Sequence, residues 1–503
     1  MMNRDTFLQR IVTQRGLWDI AVVGGGATGM GIAVDAAARG YRVALFEQSD
    51  FGKGTSSRST KLIHGGVRYL QQGNLPLVME ALKERGILLQ NAPHLVHDLE
   101  FIVPNYAWWE APFYGIGLKV YDLLAGKYGF GPSQMLSREQ VLERIPTLSQ
   151  DGLRGGVKYH DGQFDDARLL INLAQTAAEQ GAVLLNYARV TGLVKDGDGF
   201  VHGLTFCDEE SGASHPIAAR CVINATGPFC DELRRVDEPA APPMIAPSQG
   251  VHLVFGRAFL PGDTAIMVPH TRDGRVMFAI PWHDHTLVGT TDTPIEKAVL
   301  EPVPLEHEID FLLETAGDYL AKRPTRADIL SVFTGIRPLV KAGESAGTAA
   351  LSRDHTIQIS PSGLLTIAGG KWTTYRKMAE DAVDHAIVLG HLEERPCVTR
   401  ELRIYGGDAP ALEGRTLNAA LPITDAQVVR AAREEMARTV EDVLARRTRA
   451  LFLNTAAALA MAPEIARLLA QELGRDEAWQ QAQLAAFREV AAHFVPPPAT
   501  PAR

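Results

Sequence analysis

Three glycines and an acidic residue form the first pattern in the chain that suggests chemistry. Gly24, Gly26 and Gly29 follow the apolar run 20–23, and Glu47 closes a second apolar run further along. Gly24 permits a tight turn, Gly26 lets the backbone approach a pyrophosphate, and Gly29 lets a following helix pack against a sheet. The spacing therefore predicts a dinucleotide-binding turn.

The elements that hold these glycines are also visible in the sequence. The Ala-rich segment from Thr28 to Arg39 predicts a helix, and 41–46 predicts a second strand. Free N–H groups and the partial positive charge at the helix N-terminus attract phosphates. Glu47, at the end of the second strand, is placed to accept hydrogen bonds from ribose hydroxyls. We expect a βαβ unit here.

A Gly- and Ser-rich loop follows Glu47 and runs near the predicted nucleotide. Its hydroxyls and glycines are candidates for contact with the pyrophosphate and with a flat ring system, and two charged or titratable side chains flank the last glycines. As an alternative, the loop is only a polar linker. The candidates are Thr55, Ser56, Ser57, Gly65 and Gly66, flanked by His64 and Arg68.

Three later segments also carry candidate site residues. The apolar run 221–224 ends in small residues that include Thr226 and Gly227, so we expect a second contact with the same nucleotide. Arg337 stands between small residues and a proline. A further Gly-Gly turn precedes a helix predicted to start near Thr373 or Thr374; it contains Gly370 and Lys371, for which a solvated lysine is the alternative.

Composition narrows the class of protein. The 503 residues carry a formal net charge of −9, which argues against a general nucleic-acid binder. The four cysteines show no CxxC spacing, so neither a disulfide nor a metal site is predicted. Residues 1–16 lack the apolar core of a signal peptide, and no run is long enough to span a membrane. We expect a protein that is soluble or lies on a membrane surface.

One stretch combines aromatic and basic residues. Trp108 to Gly126 has helical spacing and contains Trp109, Phe113 and Lys119, with Lys127 directly after it. A core helix and a helix that lies in a membrane interface are both compatible with this pattern.

Taken together, these segments resemble the FAD-dependent glycerol-3-phosphate dehydrogenases, the membrane-associated type found in aerobic bacteria and mitochondria. The matches run in order through most of the chain. They are residues 22–31 (VVGGGATGMG), 55–70 (TSSRSTKLIHGGVRYL), 92–95 (APHL), 164–169 (FDDARL), 224–228 (NATGP), 280–282 (IPW), 289–293 (GTTDT), 335–339 (GIRPL), 352–355 (SRDH), 369–377 (GGKWTTYRK) and 433–453.

The resemblance implies an α/β fold of three parts. A Rossmann-like FAD-binding domain is expected over 17–95, 155–245 and 335–390, with an antiparallel-β substrate domain inserted as 96–154 and 246–334. A helical C-terminal domain is expected over 391–490, where the sequence is also Ala-, Arg- and Glu-rich with helical spacing. The Pro-rich ending predicts a disordered tail over 491–503.

The resemblance also implies the reaction. FAD is the expected cofactor, and the expected reaction converts sn-glycerol 3-phosphate to dihydroxyacetone phosphate by hydride transfer to flavin N5. Electrons would pass to a membrane quinone at the inner face of the cytoplasmic membrane. A homodimer is expected, and no nucleic-acid partner. The expected FAD contacts are Gly24, Gly26, Thr28, Gly29, Glu47, Thr55, Ser56, Ser57, Gly65, Gly66, Thr226, Gly227, Gly370, Lys371 and Thr373.

Substrate contacts follow from the chemistry of a phosphorylated secondary alcohol. Arginine suits phosphate, so Arg337, Arg68 and Arg353 are the candidates for it. Lys371 is expected to bind a substrate oxygen or to stabilise the negative charge of the reduced flavin. A histidine suits removal of the hydroxyl proton near neutral pH, and the sequence does not separate His64 from His252.

Other activities remain open from the sequence. The same oxidation with oxygen as acceptor would make the protein a glycerol-3-phosphate oxidase. A relative that oxidises an amino acid or a 2-hydroxy acid would place a carboxylate where the phosphate sits. A flavin-binding module without its own oxidation chemistry is a further alternative.

Overall fold

Two β-sheets and a group of helices make up the chain in the computed structural model. The structure describes residues 2–14, 16–66, 70, 74–269, 271, 274–341, 354–408 and 412–497. The helices are α1 Arg4–Thr13, α2 Ala27–Ala38, α3 Leu75–Asn91, α4 Glu110–Ala125, α5 Arg138–Arg144, α6 Asp166–Glu179, α7 Cys230–Asp237, α8 Glu306–Tyr319, α9 Tyr375–Leu389, α10 Asp425–Glu434, α11 Ala450–Leu453, α12 Thr455–Leu473 and α13 Glu477–Ala492.

The strands follow the same chain order. They are β1 Trp18–Val23, β2 Val43–Phe46, β3 Leu62–Ile63, β4 Val96–Asn105, β5 Gln134–Ser137, β6 Gly155–Phe164, β7 Val183–Leu185, β8 Ala188–Lys195, β9 Val201–Asp208, β10 Ser214–Asn224, β11 Ile245–Gly256, β12 Ala265–Val268, β13 Met277–Trp282, β14 His285–Gly289, β15 Thr293–Pro294, β16 Ile329–Val340, β17 His355–Ile359, β18 Leu365–Gly369, β19 Thr416–Asn418 and β20 Leu421–Thr424.

The first sheet is built around β1. Its strand order is β17-β18-β10-β1-β2-β7, with β8 and β9 continuing from β10. β1 pairs in parallel with β2 and β10, and β10 pairs in parallel with β18. The carboxyl ends of these strands therefore meet at one edge, where open α/β sheets bind their ligands. α2 crosses from β1 to β2 and packs against α6 and α9.

The second sheet has ten strands in the order β15-β11-β14-β13-β12-β4-β6-β3, with β16 beside β11 and β5 beside β6. Nearly all pairs are antiparallel, which confirms the predicted fold class. The sheet also takes strands that the sequence assigned to the FAD-binding domain. β3 and β6, in 17–95 and 155–245, pair with each other, and β16 crosses the predicted boundary at residue 335.

The C-terminal helices α10 to α13 pack against one another beside a short hairpin of β19 and β20. The predicted tail 491–503 is wrong in its first part because α13 runs to Ala492. Phe494 is buried, its carbonyl accepts from the amide of Val332 at 2.9 Å, and its ring lies 5.0 Å from that of Phe452. These contacts hold the chain through Phe494, and residues 498–503 lie outside the described residues.

α4 has a buried face and an exposed apolar face. Tyr114, Leu118 and Tyr121 are buried against the body of the protein. Ile116 and Leu123 point outward and are 67% and 79% exposed. The stretch therefore packs as a core helix on one face and leaves an apolar face exposed on the other. A position in a membrane interface stays a prediction. No described helix is long and apolar enough to cross a membrane.

Candidate active site

A cavity of about 630 Å³ lies at the edge of the first sheet and reaches the second. It collects segments that are far apart in sequence. The predicted site residues on its wall are Gly24, Gly26, Thr28, Glu47, Thr55, Ser56, His64, Thr226, Gly227, His252, Arg337, Gly370, Lys371 and Thr373. Gly29, Ser57, Gly65 and Gly66 do not line it. Arg68 and Arg353 lie outside the described residues.

The glycine turn after β1 is tightly enclosed. Gly24 has φ +110°, and a Cβ there would lie 2.5 Å from the carbonyl oxygen of Ala225. A Cβ on Gly29 would overlap the carbonyl oxygen of Gly24. At the N-terminus of α2 the amide of Ala27 donates to Oγ of Ser56 at 2.9 Å. The turn thus presents backbone and a hydroxyl, without side-chain bulk, to the cavity.

Glu47 is fixed at the end of β2. Its two carboxylate oxygens accept from the amides of Gly25 at 2.7 Å and Ser49 at 2.9 Å. Burial raises the pKa of the Glu47 carboxyl above its ordinary value, while these amides oppose the rise. The side chain braces the glycine turn and also faces the cavity, where a ribose hydroxyl would meet it.

Hydrogen bonds join the Ser-rich loop to the two late segments. Oγ1 of Thr55 donates to the carbonyl of Ile336 at 2.6 Å, next to Arg337. The indole of Trp372 donates to the carbonyl of Ser56 at 2.8 Å, and Oγ1 of Thr373 lies 3.3 Å from the carbonyl of His64. The loop therefore holds the motifs around Arg337 and Lys371 against one cavity.

Two of the residues predicted to touch FAD but absent from the cavity wall, Ser57 and Gly65, make packing contacts behind it. A Cβ on Gly65 would lie 2.5 Å from the hydroxyl of Tyr121, so Gly65 admits the side chains of α3 and α4. The carbonyl of Ser57 accepts from Lys61 at 2.8 Å and from Arg449 at 2.9 Å. Contact of these two residues with the cofactor stays a prediction.

His252 projects from β11 into the deep part of the cavity. Its ring stacks on Phe333, with centroids 4.7 Å apart and an angle of 11° between planes. Burial, together with the nearby charges of Lys61 and Arg337, holds the pKa of His252 well below its ordinary value of 6.5. The imidazole is therefore neutral at physiological pH. The other candidate base, His64, is half-buried and lines the same cavity.

Arg337, on β16, is anchored from behind. Its guanidinium donates to Asp292 at 3.2 Å and to the carbonyl of Thr291 at 3.0 Å. A Cβ on Gly250 would lie 2.5 Å from one guanidinium nitrogen and 2.8 Å from the other. A Cβ there would also lie 2.6 Å from Oγ1 of Thr290, so any side chain at position 250 would displace the guanidinium and this hydroxyl from their places beside the cavity.

Sequence reasoning missed several residues of this region, among them Thr60, Asp166 and Gly250. Thr60 and Asp166 lie inside the motifs 55–70 and 164–169, so the motifs themselves could have pointed to them. Gly250 carries no such pattern, because its role depends on a side chain 87 positions away in the chain.

The chain matches known families over most of its length. Residues 19–376 match the FAD dependent oxidoreductase family, and 367–480 match the C-terminal domain of alpha-glycerophosphate oxidase. The mitochondrial glycerol-3-phosphate dehydrogenase of Mesocricetus auratus is 42% identical over 525 residues, covering 93% of this chain and 72% of the relative. The human mitochondrial protein of the same name is 41% identical and covers 94% and 73%. The chain belongs to the FAD-dependent glycerol-3-phosphate dehydrogenase family.

Solved structures agree with this assignment. The glycerol-3-phosphate dehydrogenase from Bacillus halodurans complexed with FAD has a TM-score of 0.80 and 31% identity, covering 99% of this chain and 98% of that one. An L-alpha-glycerophosphate oxidase from Mycoplasma pneumoniae, at 17% identity and a TM-score of 0.59, shares the fold. The protein is thus an FAD-dependent enzyme of the glycerol-3-phosphate dehydrogenase family.

The glycine turn and Glu47 fit FAD. A Cβ at Gly24 would collide with the carbonyl of Ala225, and one at Gly26 would crowd Oγ of Ser56, so both glycines keep the turn free of side-chain bulk at the cavity wall. A carboxylate stands at the ribose position of the βαβ unit. The segments 225–227 and 369–371 would hold the remainder of the cofactor at the same sheet edge.

A substitution at Gly29 tests this fit. In Gly29→Ala the new methyl group meets the carbonyl of Gly24, so α2 must shift away from the phosphate site. We expect FAD affinity to fall on the order of tenfold or more, measured from the flavin-to-protein absorbance ratio and by FAD titration. Gly117→Ala, where no atom lies within 4 Å of the new methyl, is the control and should keep its FAD. Full FAD content in Gly29→Ala would contradict the assigned packing.

The C-terminal domain holds the cofactor loop through a buried carboxylate. Asp50 accepts from Arg447 at 2.7 and 2.9 Å and from Arg446 at 2.5 Å. These guanidinium groups hold the pKa of Asp50 below its ordinary value in spite of burial. The loop that carries Thr55 and Ser56 is therefore tied to the π-helical turn Asp442–Arg447.

Removing one of the two arginines that pair with Asp50 should destabilise the folded protein. Arg447→Met leaves the buried Asp50 with reduced compensation, and we expect a loss of about 3–5 kcal/mol in the free energy of unfolding. Thermal unfolding followed by flavin fluorescence measures the loss and shows whether FAD is released with it. Arg433→Met removes an exposed partner of Glu472 and should unfold like the parent protein. Equal unfolding temperatures for both variants would contradict the role of Arg447.

Proposed function

We propose that the enzyme oxidises sn-glycerol 3-phosphate to dihydroxyacetone phosphate and passes the electrons to a membrane quinone. The observation that supports this most directly is the placement of His252 and Arg337 in one cavity with the cofactor-binding segments. A neutral imidazole and an anchored guanidinium are the groups needed to deprotonate a secondary alcohol and to bind its phosphate.

The three cavity side chains have different tasks in this proposal. Arg337 binds the phosphate and fixes the substrate in the cavity. His252 accepts the proton of the C2 hydroxyl, because its low pKa keeps it unprotonated before substrate arrives. Lys371 contacts a substrate oxygen or balances negative charge beside the flavin. A bound flavin supplies the hydride acceptor at N5. Arg68 and Arg353 stay predictions as further phosphate ligands.

Anaerobic flavin reduction tests the substrate. Glycerol 3-phosphate added to the FAD-loaded protein without oxygen should bleach the flavin absorbance within the mixing time or shortly after it. Glycerol, lactate and proline are the comparison compounds, because they lack the phosphate or carry a carboxylate in its place. A fully loaded protein that is bleached by lactate or proline, and not by glycerol 3-phosphate, would contradict the proposed substrate.

The acceptor needs its own experiment. The reduced protein is mixed with a short-chain ubiquinone in one arm and with dissolved oxygen in the other. Rapid flavin reoxidation by the quinone and slow oxygen uptake support the dehydrogenase. Fast oxygen uptake with formation of hydrogen peroxide would instead identify an oxidase.

We also propose that α4 and the tryptophans before it contact the inner face of the cytoplasmic membrane. Trp108, Ile116 and Leu123 are 77%, 67% and 79% exposed, although water disfavours such side chains. Lys119 and Lys127 are exposed nearby and suit anionic headgroups. The apolar face and the cations together favour a lipid surface as the occupant and would bring the enzyme to its quinone.

Liposome sedimentation tests the membrane contact. Ile116→Glu/Leu123→Glu should reduce binding to vesicles of phosphatidylglycerol and phosphatidylethanolamine, while flavin reduction in solution stays unchanged. Val388→Glu, at an apolar side chain that is 75% exposed on α9, is the control. If α4 instead forms a contact with a second copy, the double variant should change the sedimentation coefficient without changing vesicle binding. The expected homodimer is checked in the same centrifugation runs.

A further inference from the structure

Nε2 of His252 is engaged in a hydrogen bond with a threonine on the cavity wall. It lies 2.9 Å from Oγ1 of Thr60, and both residues line the cavity. The other ring nitrogen, Nδ1, is buried and has no hydrogen-bond partner among the described residues. A substrate in the cavity therefore meets the imidazole at the edge where the hydroxyl of Thr60 lies.

The two tautomers of the neutral ring differ in what this hydrogen bond does. With the ring proton on Nε2, the imidazole donates to Thr60, and its lone pair lies on the buried Nδ1, where no substrate proton can reach it. With the ring proton on Nδ1, Thr60 donates to Nε2 and occupies the one in-plane lone pair of that nitrogen. A substrate hydroxyl can donate directly to Nε2 in neither tautomer. The second tautomer can still gain a proton, and the proton within its reach is that of the Thr60 hydroxyl.

The backbone on both sides of Thr60 is held by one buried carboxylate. Asp166, at the start of α6, accepts from the amide of Ser59 at 3.0 Å and from its hydroxyl at 2.7 Å. It also accepts from Nζ of Lys61 at 2.7 Å, and both partners of that ion pair are fully buried. Arg449, in the C-terminal domain, donates to the same carboxylate at 3.0 Å. These contacts fix the place from which the Thr60 side chain reaches both the imidazole and the cavity.

We propose that Thr60 is a catalytic residue that relays the substrate proton to His252. Oγ1 accepts the proton of the C2 hydroxyl and, in the same step, gives its own proton to Nε2. The O–H bonds of the substrate and of Thr60 break, while a new O–H bond forms on Thr60 and an N–H bond forms on His252. The C2 hydrogen leaves with its electron pair for the hydride acceptor, so the alcohol is oxidised to a ketone and two electrons pass to the cofactor. His252 is the final proton acceptor, and the inference rests on the proposed function, in which this histidine is the base.

Substitutions at position 60 test the relay. Thr60→Val puts a methyl group in place of Oγ1, so neither the relay nor a direct contact with Nε2 can form. We expect the rate constant for anaerobic flavin reduction by glycerol 3-phosphate to fall about 10²-fold or more, while FAD content stays at the parent value. Thr60→Ser keeps the hydroxyl and should stay within about threefold of the parent rate. Thr147→Val is the control, because it removes a hydroxyl that donates to the carbonyl of Phe259 at 2.8 Å, away from the cavity wall.

A solvent isotope experiment separates a relay from a structural role of Thr60. Flavin reduction by glycerol 3-phosphate that carries deuterium on C2 is timed in mixtures of H2O and D2O, so that cleavage of the bond to C2 limits the rate. Because two exchangeable protons move in the relay, the rate constant should fall along a curve that is the product of two isotope effects. The parent protein and Thr60→Ser should both show this curve. A straight line, which indicates one moving proton, or a rate independent of the solvent overturns the inference.

A double variant shows whether Thr60 and His252 act as one unit. If they do, Thr60→Val/His252→Asn is no slower than the slower of the two single variants, because each change already breaks the same relay. A parent-like rate in Thr60→Val, or additive losses in the double variant, overturns the inference. A raised KM with an unchanged rate constant also overturns it and makes Thr60 a substrate ligand. Failure of glycerol 3-phosphate to bleach the parent protein would contradict the proposed function instead, so the two failures are distinguishable.

Discussion

His252→Asn is expected to lower the rate constant for flavin reduction by glycerol 3-phosphate about 10²–10⁴-fold, the range lost when a general base is removed. Asparagine fits the space between Thr60 and Phe333 and keeps a polar group there, but it cannot accept the proton of the C2 hydroxyl. FAD should remain bound, because none of the cofactor-binding glycines contacts this side chain. Stopped-flow absorbance of the flavin under anaerobic conditions measures the effect.

His64→Asn and His97→Asn complete this experiment. His64 lines the cavity, whereas His97 is an exposed residue on β4 that bonds to Gln163. We expect His97→Asn to behave as the parent protein and His64→Asn to retain more activity than His252→Asn. If His64→Asn is the slower of the two cavity variants, the base is His64 and the assignment to His252 is wrong.

The pH dependence follows from the same site. Burial is the main cause that lowers the pKa of His252, and the positive charges of Lys61 and Arg337 add to it. A lowered pKa means that protonation requires more acid than the ordinary value of 6.5 indicates. The pH profile of kcat/KM, which reports the protein without bound substrate, should therefore show no loss through His252 as the pH falls past 6.5. The acid limb due to His252 should lie well below that pH. If the parent protein instead shows an acid limb centred at pH 6.5, and His64→Asn lacks that limb, the titrating group is His64.

The local elements of this fold could be predicted from sequence because their patterns are local. The turn from Gly24 to Gly29 and the helix after it appear as contiguous residues, and α2 begins and ends within one residue of the predicted helix. α8 occupies Glu306–Tyr319, where apolar residues also recur at helical spacing. In each case the 3.6-residue period or a glycine at a fixed offset carries the information.

Which strands belong to the second sheet could not be predicted in the same way. β3 and β6 lie within segments that also supply the nucleotide-binding domain, and their pairing joins residues about a hundred positions apart. Apolar alternation predicts a strand but does not name its neighbour. The prediction of a disordered tail from residue 491 was wrong for a related reason. A Pro-rich ending suggests disorder, but Phe494 is held by contacts with β16 and α11.

The same limit applies to the site. His252, Arg337 and Lys371 were proposed from their residue types and surroundings in the sequence, and the fold brings all three to one cavity. The residues that hold them were not proposed. Asp166 contacts Ser59 across 107 positions, and no local pattern reports such a contact. The candidate groups for chemistry were therefore easier to predict than the groups that position them.

Arg337→Met is expected to raise KM for glycerol 3-phosphate about 10²-fold, because a charge-assisted contact to the phosphate is lost and Asp292 is left without its cation. The rate constant at saturating substrate should change much less, since His252 is untouched. The KM of Arg337→Lys should lie between those of the parent protein and Arg337→Met, because lysine keeps the positive charge but lacks the planar guanidinium. Steady-state kinetics with a quinone acceptor measures both constants. A parent-like KM in Arg337→Met would remove this residue from the phosphate site.

Gly250→Ala offers an independent route to the same result while the arginine stays in the chain. The new methyl group would lie 2.5 and 2.8 Å from the two terminal nitrogens of Arg337, so the guanidinium must leave its place beside the cavity. KM should rise as in Arg337→Met, and the double variant should add little to either single change. Additive losses would show that Gly250 and Arg337 serve separate tasks. Gly256→Ala, on the same strand with no atom within 4 Å of the new methyl, should leave KM unchanged. A matching rise there would assign the effect of Gly250→Ala to the strand and not to the guanidinium.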